Sequence, residues 1–284
     1  MSELEFERRF FSGRELYGDD FTPDEIAAWY DDERSGYYKL ATEFYDIATA
    51  DEYDYGYEAL NKLHAFEWLS KRNYDVCLAL GCAKGDDVAP LAPNVGRFVG
   101  LEPAQEWWSD SIGGKPAVFM SPSATGEIPL PSRSVDLAVA LGVLHHIPNV
   151  GRVVGEVSRV LRPGGFFVLR EPINSMGDWR KPRPGLTKHE RGLPLQWLRR
   201  NLIGHDFKIR RARVCMINAA AILFSRPGGA HVYNDRAFCV ADWIASEALR
   251  WNVSYYRSNA LKKLAPSSAF IIAERVSPSD RLAP

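Results

Sequence analysis

The hydrophobic pattern of the chain changes character near residue 72. Thr22-Pro23-Asp24-Glu25 has the form of a capping box with proline at the first helical position, which predicts a helix through residues 28–34 and a second helical stretch after it. Between residues 57 and 70, apolar side chains recur every three or four positions, which predicts another helix. We therefore expect residues 1–72 to form a helical N-terminal cap.

From residue 73 onward, short apolar runs alternate with polar helical segments, as in a parallel sheet covered on both faces. We predict helices at 151–161, 193–203 and 235–250, and a turn at 162–165. Residues 73–284 are thus expected to form one α/β domain with a Rossmann-like, seven-stranded sheet and an insertion at 216–265 before the last strand. The predicted strands are 76–80, 97–101, 117–120, 135–141, 166–170, 207–214 and 269–276.

Composition narrows the functional classes. Lys and Arg total 35 against 36 for Asp and Glu, so the net charge of -1 favours neither nucleic acid nor an anionic membrane as a partner. No apolar run resembles a signal peptide or a membrane span, so we expect a cytoplasmic protein. The cysteines lack the paired spacing of a zinc site, and we expect free thiols and no metal at Cys77, Cys82, Cys215 and Cys239.

Two segments at predicted strand ends indicate a cofactor site, because ligands of open parallel sheets lie beyond the carboxyl ends of the strands. The loop from Gly81 to Asp86 follows the first strand, and Glu102 ends the second, where a carboxylate can accept both hydroxyls of a ribose. A plain strand-to-helix turn and a helix-terminal charge are the alternatives. Together the two segments favour an adenosine-containing cofactor, and the Gly-x-x-x-Gly spacing disfavours a nicotinamide dinucleotide.

Three longer strings carry a more specific signal. They read IPLPSRSVDL at 128–137, GVLHHI at 142–147 and RVLRPGG at 159–165. Their order and spacing resemble class I S-adenosylmethionine-dependent methyltransferases of the UbiE-like type, the methyltransferase type 11 domain. The resemblance is strong over about residues 73–175, and the late strands fit the final antiparallel hairpin of that family.

The resemblance implies S-adenosylmethionine as the cofactor, with Glu102 on its ribose. Departures from the family pattern are Ala79 for an acid, Ala83 for a glycine and Ala124 for an aspartate, and these could weaken the cofactor site. The expected cofactor-binding set is Gly81, Cys82, Ala83, Gly85, Asp86, Glu102, Pro103, Ser123, Ala124, Thr125, Leu141 and Gly142, in which Gly81 and Gly85 lie against the methionine part and the last two line the sulfonium.

Acid-base groups are expected after the fourth and fifth predicted strands. His145, His146 and Glu171 are candidates to take a proton from a hydroxyl or amine acceptor, although a structural role for the histidines has equal weight. A loop rich in basic and aromatic residues follows Glu171, and it is similar to loops of methyltransferases of glycan and O-antigen synthesis. Its candidate acceptor-binding residues, which suit an anionic acceptor if they are not solvated surface charge, are Trp179, Arg180, Arg183, His189 and Arg191.

The sequence therefore favours a methyltransferase acting on a small-molecule or glycan-type acceptor, with O-methylation expected. A catalytically degenerate binding or regulatory subunit is the first alternative, and a nicotinamide-dependent oxidoreductase is the second. The insertion around His231 and Tyr233 could line the acceptor pocket or form a homodimer contact.

Overall fold

The structure, a computed structural model, describes residues 2–39, 55–225 and 231–277. Its described part is built around an eight-stranded sheet with the order β3-β4-β2-β1-β5-β6-β8-β7. The strands are β1 (Tyr74–Leu80), β2 (Val95–Leu101), β3 (Ser111–Ile112), β4 (Lys115–Met120), β5 (Val135–Leu141), β6 (Leu161–Pro172), β7 (Phe207–Cys215) and β8 (Ser268–Arg275).

The direction of the strands determines where a ligand can bind. Strands β4, β2, β1, β5 and β6 pair in parallel, whereas β8 is antiparallel to both β6 and β7. The chain proceeds from β1 outward through β2 to β4, then returns to β5 on the other side of β1. Strand order thus reverses between β1 and β5, and the crevice above their carboxyl ends is the expected ligand site of such a sheet.

Both faces of the sheet are buried, which explains the unbroken apolar runs of its central strands. In β1, Cys77 and Ala79 join a core cluster with the cap helices, while Leu78 and Leu80 join the cluster on the opposite face. Successive side chains of a strand point to opposite faces, so one short run feeds both cores. The first core holds Leu60 and the second holds Val154.

The helices cover these two faces and extend the cap. Thr22 and Glu25 form the predicted capping box, since the Thr22 amide donates to the Glu25 carboxylate at 2.8 Å and the Glu25 amide donates to Thr22 Oγ1 at 3.4 Å. The helices are α1 (Glu3–Phe6), α2 (Pro23–Lys39), α3 (Glu58–Asn61), α4 (Glu67–Leu69), α5 (Val150–Val160), α6 (Leu195–Gly204), α7 (Asn218–Phe224), α8 (Arg236–Ala248) and α9 (Ala260–Lys263).

The structure confirms the predicted fold class and differs in detail. An eighth strand, the two-residue β3, pairs with β4 and was too short to predict. The predicted turn at 162–165 falls inside the range of β6, where the pairing with β5 jumps from Leu161 to Phe166 and Gly164 has a φ of +82°. The second helical stretch of the cap was predicted without bounds, and residues 40–54 of the cap lie outside the described residues, as do 226–230 of the insertion. Within the described ranges, no helix is both long and apolar enough to cross a membrane.

Candidate functional site

Two glycine turns lie at the switch point of the sheet. The Gly81 amide, after β1, donates to the Leu101 carbonyl at 2.8 Å, and the Gly142 amide, after β5, donates to the Arg170 carbonyl at 2.7 Å. Both glycines have positive φ, +55° and +80° respectively, a conformation that other residues adopt with strain. The two loops therefore leave adjacent strands and border the crevice where strand order reverses.

Glu102 is held directly against the first of these loops. Its carboxylate accepts the Ala83 amide at 2.8 Å and the Ala104 amide at 3.0 Å, and the residue is buried. Burial raises the pKa of Glu102, and the two backbone hydrogen bonds oppose that rise. The sequence placed the loop and Glu102 in one site, and the structure brings them into contact. An acceptor group beside a glycine turn at the switch point fits the ribose end of an adenosyl cofactor.

The other predicted cofactor residues lie around this edge with different exposures. The Cys82 side chain is buried in the core cluster of the cap, so only its backbone can face a ligand. Ser123 and Thr125 hydrogen-bond to each other at 2.7 Å between their hydroxyl oxygens, and Ser123 borders a cavity of ≈ 410 Å³. Asp86 borders a second cavity, of ≈ 550 Å³, together with Tyr55 of the cap. Whether these residues bind the cofactor stays a prediction.

His145 and Glu171, both candidates from the sequence, form a buried pair. The Nδ1 atom of His145 lies 2.8 Å from Glu171, whose other carboxylate oxygen accepts the amides of Val143 and Leu144 at 3.0 and 2.9 Å. Burial alone would lower the pKa of His145, but the hydrogen bond to Glu171 and the close carboxylate of Glu190 outweigh it and raise the pKa to about 9. His145 is therefore a cation at neutral pH, and Glu171 fixes it to the loop after β5.

His146 points to a different carboxylate, on the cap. Its Nδ1 atom lies 3.0 Å from Glu33, and its carbonyl accepts the indole N–H of Trp29 at 2.8 Å. Burial lowers the pKa of His146, the nearby charge of His145 lowers it further, and Glu33 opposes both effects. A neutral His146 that donates from Nδ1 to Glu33 carries its lone pair on Nε2. The two neighbouring histidines thus differ in charge at pH 7.

Glu190 closes the same cluster from the loop after β6. One of its oxygens lies 3.6 Å from His145 Nε2, and ligand-type atoms of His145, His146 and Glu190 all lie within 4.8 Å of one another. Burial would raise the pKa of Glu190, but the close contact with protonated His145 lowers it to about 2. Such a set could hold a metal ion, but pairing between cationic His145 and anionic Glu190 accounts for the distances, and our expectation of no metal stands as a prediction.

Trp179 and Arg180, predicted to bind an acceptor, make contacts away from the histidines. Trp179 is buried against aromatic residues of the first cap segment, with its ring centroid 4.8 Å from that of Phe11. Arg180 pairs with Asp178 at 2.8 Å and lies 4.7 Å above the ring of Phe6. The structure does not bring these two side chains together with the histidine pair, and their contacts attach the loop to the cap.

The remaining predicted acceptor residues lie nearer the cluster. Arg183 donates to the carbonyls of Met176 and Thr187 at 3.1 Å each. His189 lies 2.7 Å from Asp32 and stacks on Trp29 at 4.4 Å between ring centroids.

Arg191 is buried and its guanidinium donates hydrogen bonds to backbone carbonyls, which indicates a structural role. The carbonyls that it reaches are those of Tyr17, His145, Ile147 and Pro148, at 2.8 to 3.1 Å. Acceptor binding by Arg183, His189 and Arg191 stays a prediction.

Sequence reasoning missed Glu33, although a signal for it exists. Glu33 lies on α2 four residues after Trp29, so both side chains share one face of the helix. That face is buried, and Glu33 accepts Thr187 Oγ1 at 2.7 Å and the His189 amide at 3.0 Å. An acidic residue on the apolar face of a predicted helix is unusual. It was the one sign in the sequence that the cap contributes to the site.

Comparison with known proteins identifies the central part of the chain. Residues 78–169 match the family model described as a methyltransferase domain. A protein of Mycolicibacterium smegmatis named as a probable S-adenosylmethionine-dependent methyltransferase is 33% identical over 95 residues, 34% of this chain and 37% of that protein. The sterol 4-C-methyltransferase strm-1 of Caenorhabditis elegans is 30% identical over 128 residues, 42% of this chain and 38% of that protein.

A solved structure extends the likeness to most of the chain. The 1,6-didemethyltoxoflavin-N1-methyltransferase of Burkholderia thailandensis, solved with bound 1,6-didemethyltoxoflavin and S-adenosylhomocysteine, has a TM-score of 0.50 and 15% identity. The match covers 90% of this chain and 92% of that one, which shows a shared fold. The chain spans between 32% and 38% of the length of three of the curated relatives that it matches.

Proposed function

We propose that this protein transfers the methyl group of S-adenosylmethionine to a small-molecule or glycan-type acceptor. The proposal starts from the match of residues 78–169 to a methyltransferase domain, which places them in the class I S-adenosylmethionine-dependent methyltransferases. The observation that carries the proposal is the contact of Glu102 with the loop after β1, beside the turn after β5 that leads to the histidine pair. One edge of the sheet thus holds a cofactor-type carboxylate and acid-base side chains together.

When bound, S-adenosylmethionine supplies a methyl group on a positively charged sulfur for in-line displacement. The chain's contribution is to hold acceptor and methyl in line, about 3 Å apart. Gly81 and Gly142 allow the backbone to approach the cofactor closely, and Glu102 accepts the ribose hydroxyls. Since the leaving group is a neutral thioether, the displacement needs no Lewis acid, and we propose a reaction without a metal.

We propose O-methylation with His146 as the proton acceptor. Its lowered pKa keeps it neutral at physiological pH, and Glu33 orients the ring through Nδ1. His145 is protonated and paired with Glu171 and Glu190, so it does not suit the role of base. We assign His145 and Glu171 to positioning of the loop that carries His146. Loss of the hydroxyl proton to His146 leaves the acceptor oxygen able to attack the methyl carbon.

The acceptor is proposed to enter beside the loop of residues 177–191, which packs on α2 through His189 and Trp29. Arg183 and His189 are two of the predicted basic groups of this loop, and they suit a phosphate or carboxylate on the acceptor. A cytoplasmic location and a homodimer built on the insertion are part of the same proposal. They are tested by cell fractionation and by light scattering of the purified protein.

Parallel calorimetric titrations with S-adenosylmethionine, S-adenosylhomocysteine and NADH test the cofactor. Binding of both adenosyl compounds and not of NADH is expected, after which sugar phosphates and nucleotide sugars are screened for methyl transfer with and without EDTA. We expect turnover that EDTA does not reduce. Binding of NADH alone would overturn the proposal in favour of an oxidoreductase, and cofactor binding without turnover across the panel would favour a degenerate binding subunit.

A further inference from the structure

Arg170, near the end of β6, is a buried cation whose hydrogen-bond partners are neutral groups. Its guanidinium donates to Asn61 Oδ1 at 2.9 Å, to the Leu141 carbonyl at 3.3 Å and to the Tyr55 hydroxyl at 3.5 Å. It also lies 4.3 Å from the centroid of the Tyr57 ring. Among the described residues, no carboxylate oxygen lies within 4.0 Å of the Arg170 guanidinium. Burying a guanidinium without an anion is unfavourable, so the arrangement suits an anionic ligand.

Asp87 is the complementary group at the start of the segment that follows the first glycine loop. It is buried, and its Oδ1 atom has no hydrogen-bond partner among the described residues. Burial raises the pKa of Asp87 to about 7, and the charge of Arg170 opposes that rise. A buried carboxylate oxygen without a donor is uncommon in folded proteins. The arrangement suits a ligand that brings a cationic donor.

The two groups lie at the switch point that the glycine turns border. The Arg170 Nη2 atom is 3.5 Å from where a Cβ on Gly142 would lie, and Asp87 comes two residues after Gly85. Burial raises the pKa of the Cys77 thiol, and Asp87 is near enough for its charge to raise that pKa further. Cys77 belongs to the same core cluster as Ala79, the position where the family has an acid. Asp87 is therefore placed on the face of the sheet from which that acidic side chain is missing.

We propose that Arg170 and Asp87 bind the two charges of the α-amino-acid end of the cofactor. In this arrangement the guanidinium pairs with the α-carboxylate, and the Asp87 carboxylate accepts a hydrogen bond from the α-ammonium. The inference rests on the proposed function, because it concerns the same cofactor site. It explains how a chain that has alanine at 79 and 83 can still recognise an amino-acid group.

The test compares two ligands that differ in that end alone. S-Adenosylhomocysteine carries the amino-acid group, whereas 5′-methylthioadenosine has the adenosine and sulfur without it. Calorimetry is run on the wild type, Arg170→Met and Asp87→Asn. Each substitution is expected to weaken S-adenosylhomocysteine binding about 10- to 100-fold, the range of a charged hydrogen bond, and to change 5′-methylthioadenosine binding by less than about threefold.

Arg213→Met is the matched control, because Arg213 is a half-buried arginine of β7 whose guanidinium lies 3.8 Å from the centroid of the Trp243 ring on α8. This variant is expected to bind both ligands like the wild type. If Arg170→Met does not fold in a thermal melt, Asp87→Asn decides alone, since it is isosteric and removes a charge from the interior.

The outcomes separate the two proposals. A wild type that binds neither adenosyl compound overturns the proposed function and this inference with it. A wild type that binds S-adenosylhomocysteine while the folded variants bind it unchanged overturns the inference alone. Equal losses for both ligands would also overturn it, because they would show that Arg170 and Asp87 support the shape of the site rather than the amino-acid group.

Discussion

Nδ1 of His145 lies 2.8 Å from a carboxylate oxygen of Glu171, and both side chains are buried. The pair joins the loop after β5 to the end of β6, which are the two strands nearest the predicted methyl-transfer position. With Glu190 on the other side of the imidazole, His145 is held as a cation between two carboxylates. Its charge therefore contributes to stability, and this contribution depends on pH.

The stability of the protein is expected to fall as pH rises from 6.5 to about 9. The folded state holds the His145 proton with a pKa of about 9, against 6.5 when unfolded, so the contribution is complete below 6.5 and lost above 9. The loss is about 3 kcal/mol at most. Urea denaturation at pH 6.5 and 9.5 measures it, and His145→Gln is expected to flatten the difference. An unchanged pH dependence in that variant would contradict the charged pair.

Replacing His146 by Gln is expected to lower kcat about 100-fold or more with little change in the affinity for S-adenosylhomocysteine, since a general base acts on the proton and not on the cofactor. Because burial and the charge of His145 lower the pKa of His146, wild-type turnover is expected to persist to pH values below the usual histidine range. Steady-state kinetics over a range of pH measure turnover, and calorimetry measures the affinity for S-adenosylhomocysteine. Full turnover in His146→Gln would exclude the base.

The sequence predicted the fold class and the segments at the edge of the sheet because both depend on local patterns. The loop after β1, Glu102 and His145 could each be placed by motif spacing along the chain. Contacts between distant segments left no such pattern: Glu33 reaches His146 across 113 residues, and Arg170 meets Asn61 across 109. The sequence could not indicate these pairs, since burial of a polar side chain depends on the packing of the cap.

The role of the loop rich in basic residues could not be predicted from the sequence either. Sequence spacing predicted that Arg180 and Arg191 would face an acceptor. In the structure Arg180 pairs with Asp178, two residues away, and Arg191 donates to backbone carbonyls of two other chain segments. Arginine density along a chain does not distinguish a ligand site from a site that satisfies buried backbone acceptors, because the guanidinium serves both with the same donors.

Glu102→Ala is expected to weaken S-adenosylmethionine binding by about 1 to 3 kcal/mol, because the ribose loses a charged acceptor. It also removes the acceptor of the Ala83 and Ala104 amides, so the free energy of unfolding is expected to fall by about 1 kcal/mol without loss of the fold. Calorimetry and urea denaturation measure the two effects separately. An unchanged affinity would mean that the motif is wrongly placed on the cofactor.

Ala83→Gly is expected to stabilise the protein by about 1 kcal/mol. Ala83 has a φ of +47°, in the left-handed region, where an alanine side chain is strained and glycine is not. The matched control is Ala79→Gly in β1, where the backbone is extended and glycine is expected to lower stability by a similar amount. Urea denaturation of both variants tests the prediction, and a loss of stability in both would contradict it.

Arg191→Met separates a structural role from acceptor binding. Removing the guanidinium takes a buried donor away from the carbonyls of Tyr17, His145, Ile147 and Pro148. The free energy of unfolding is therefore expected to fall by about 3 kcal/mol or more. Arg180→Met, which breaks a partly exposed pair with Asp178, is expected to cost less than about 1 kcal/mol. Denaturant unfolding of the two variants gives the comparison. If Arg191→Met instead keeps its stability and raises only the KM for the acceptor, the side chain binds the acceptor, and the basic loop is a recognition site as its sequence suggested.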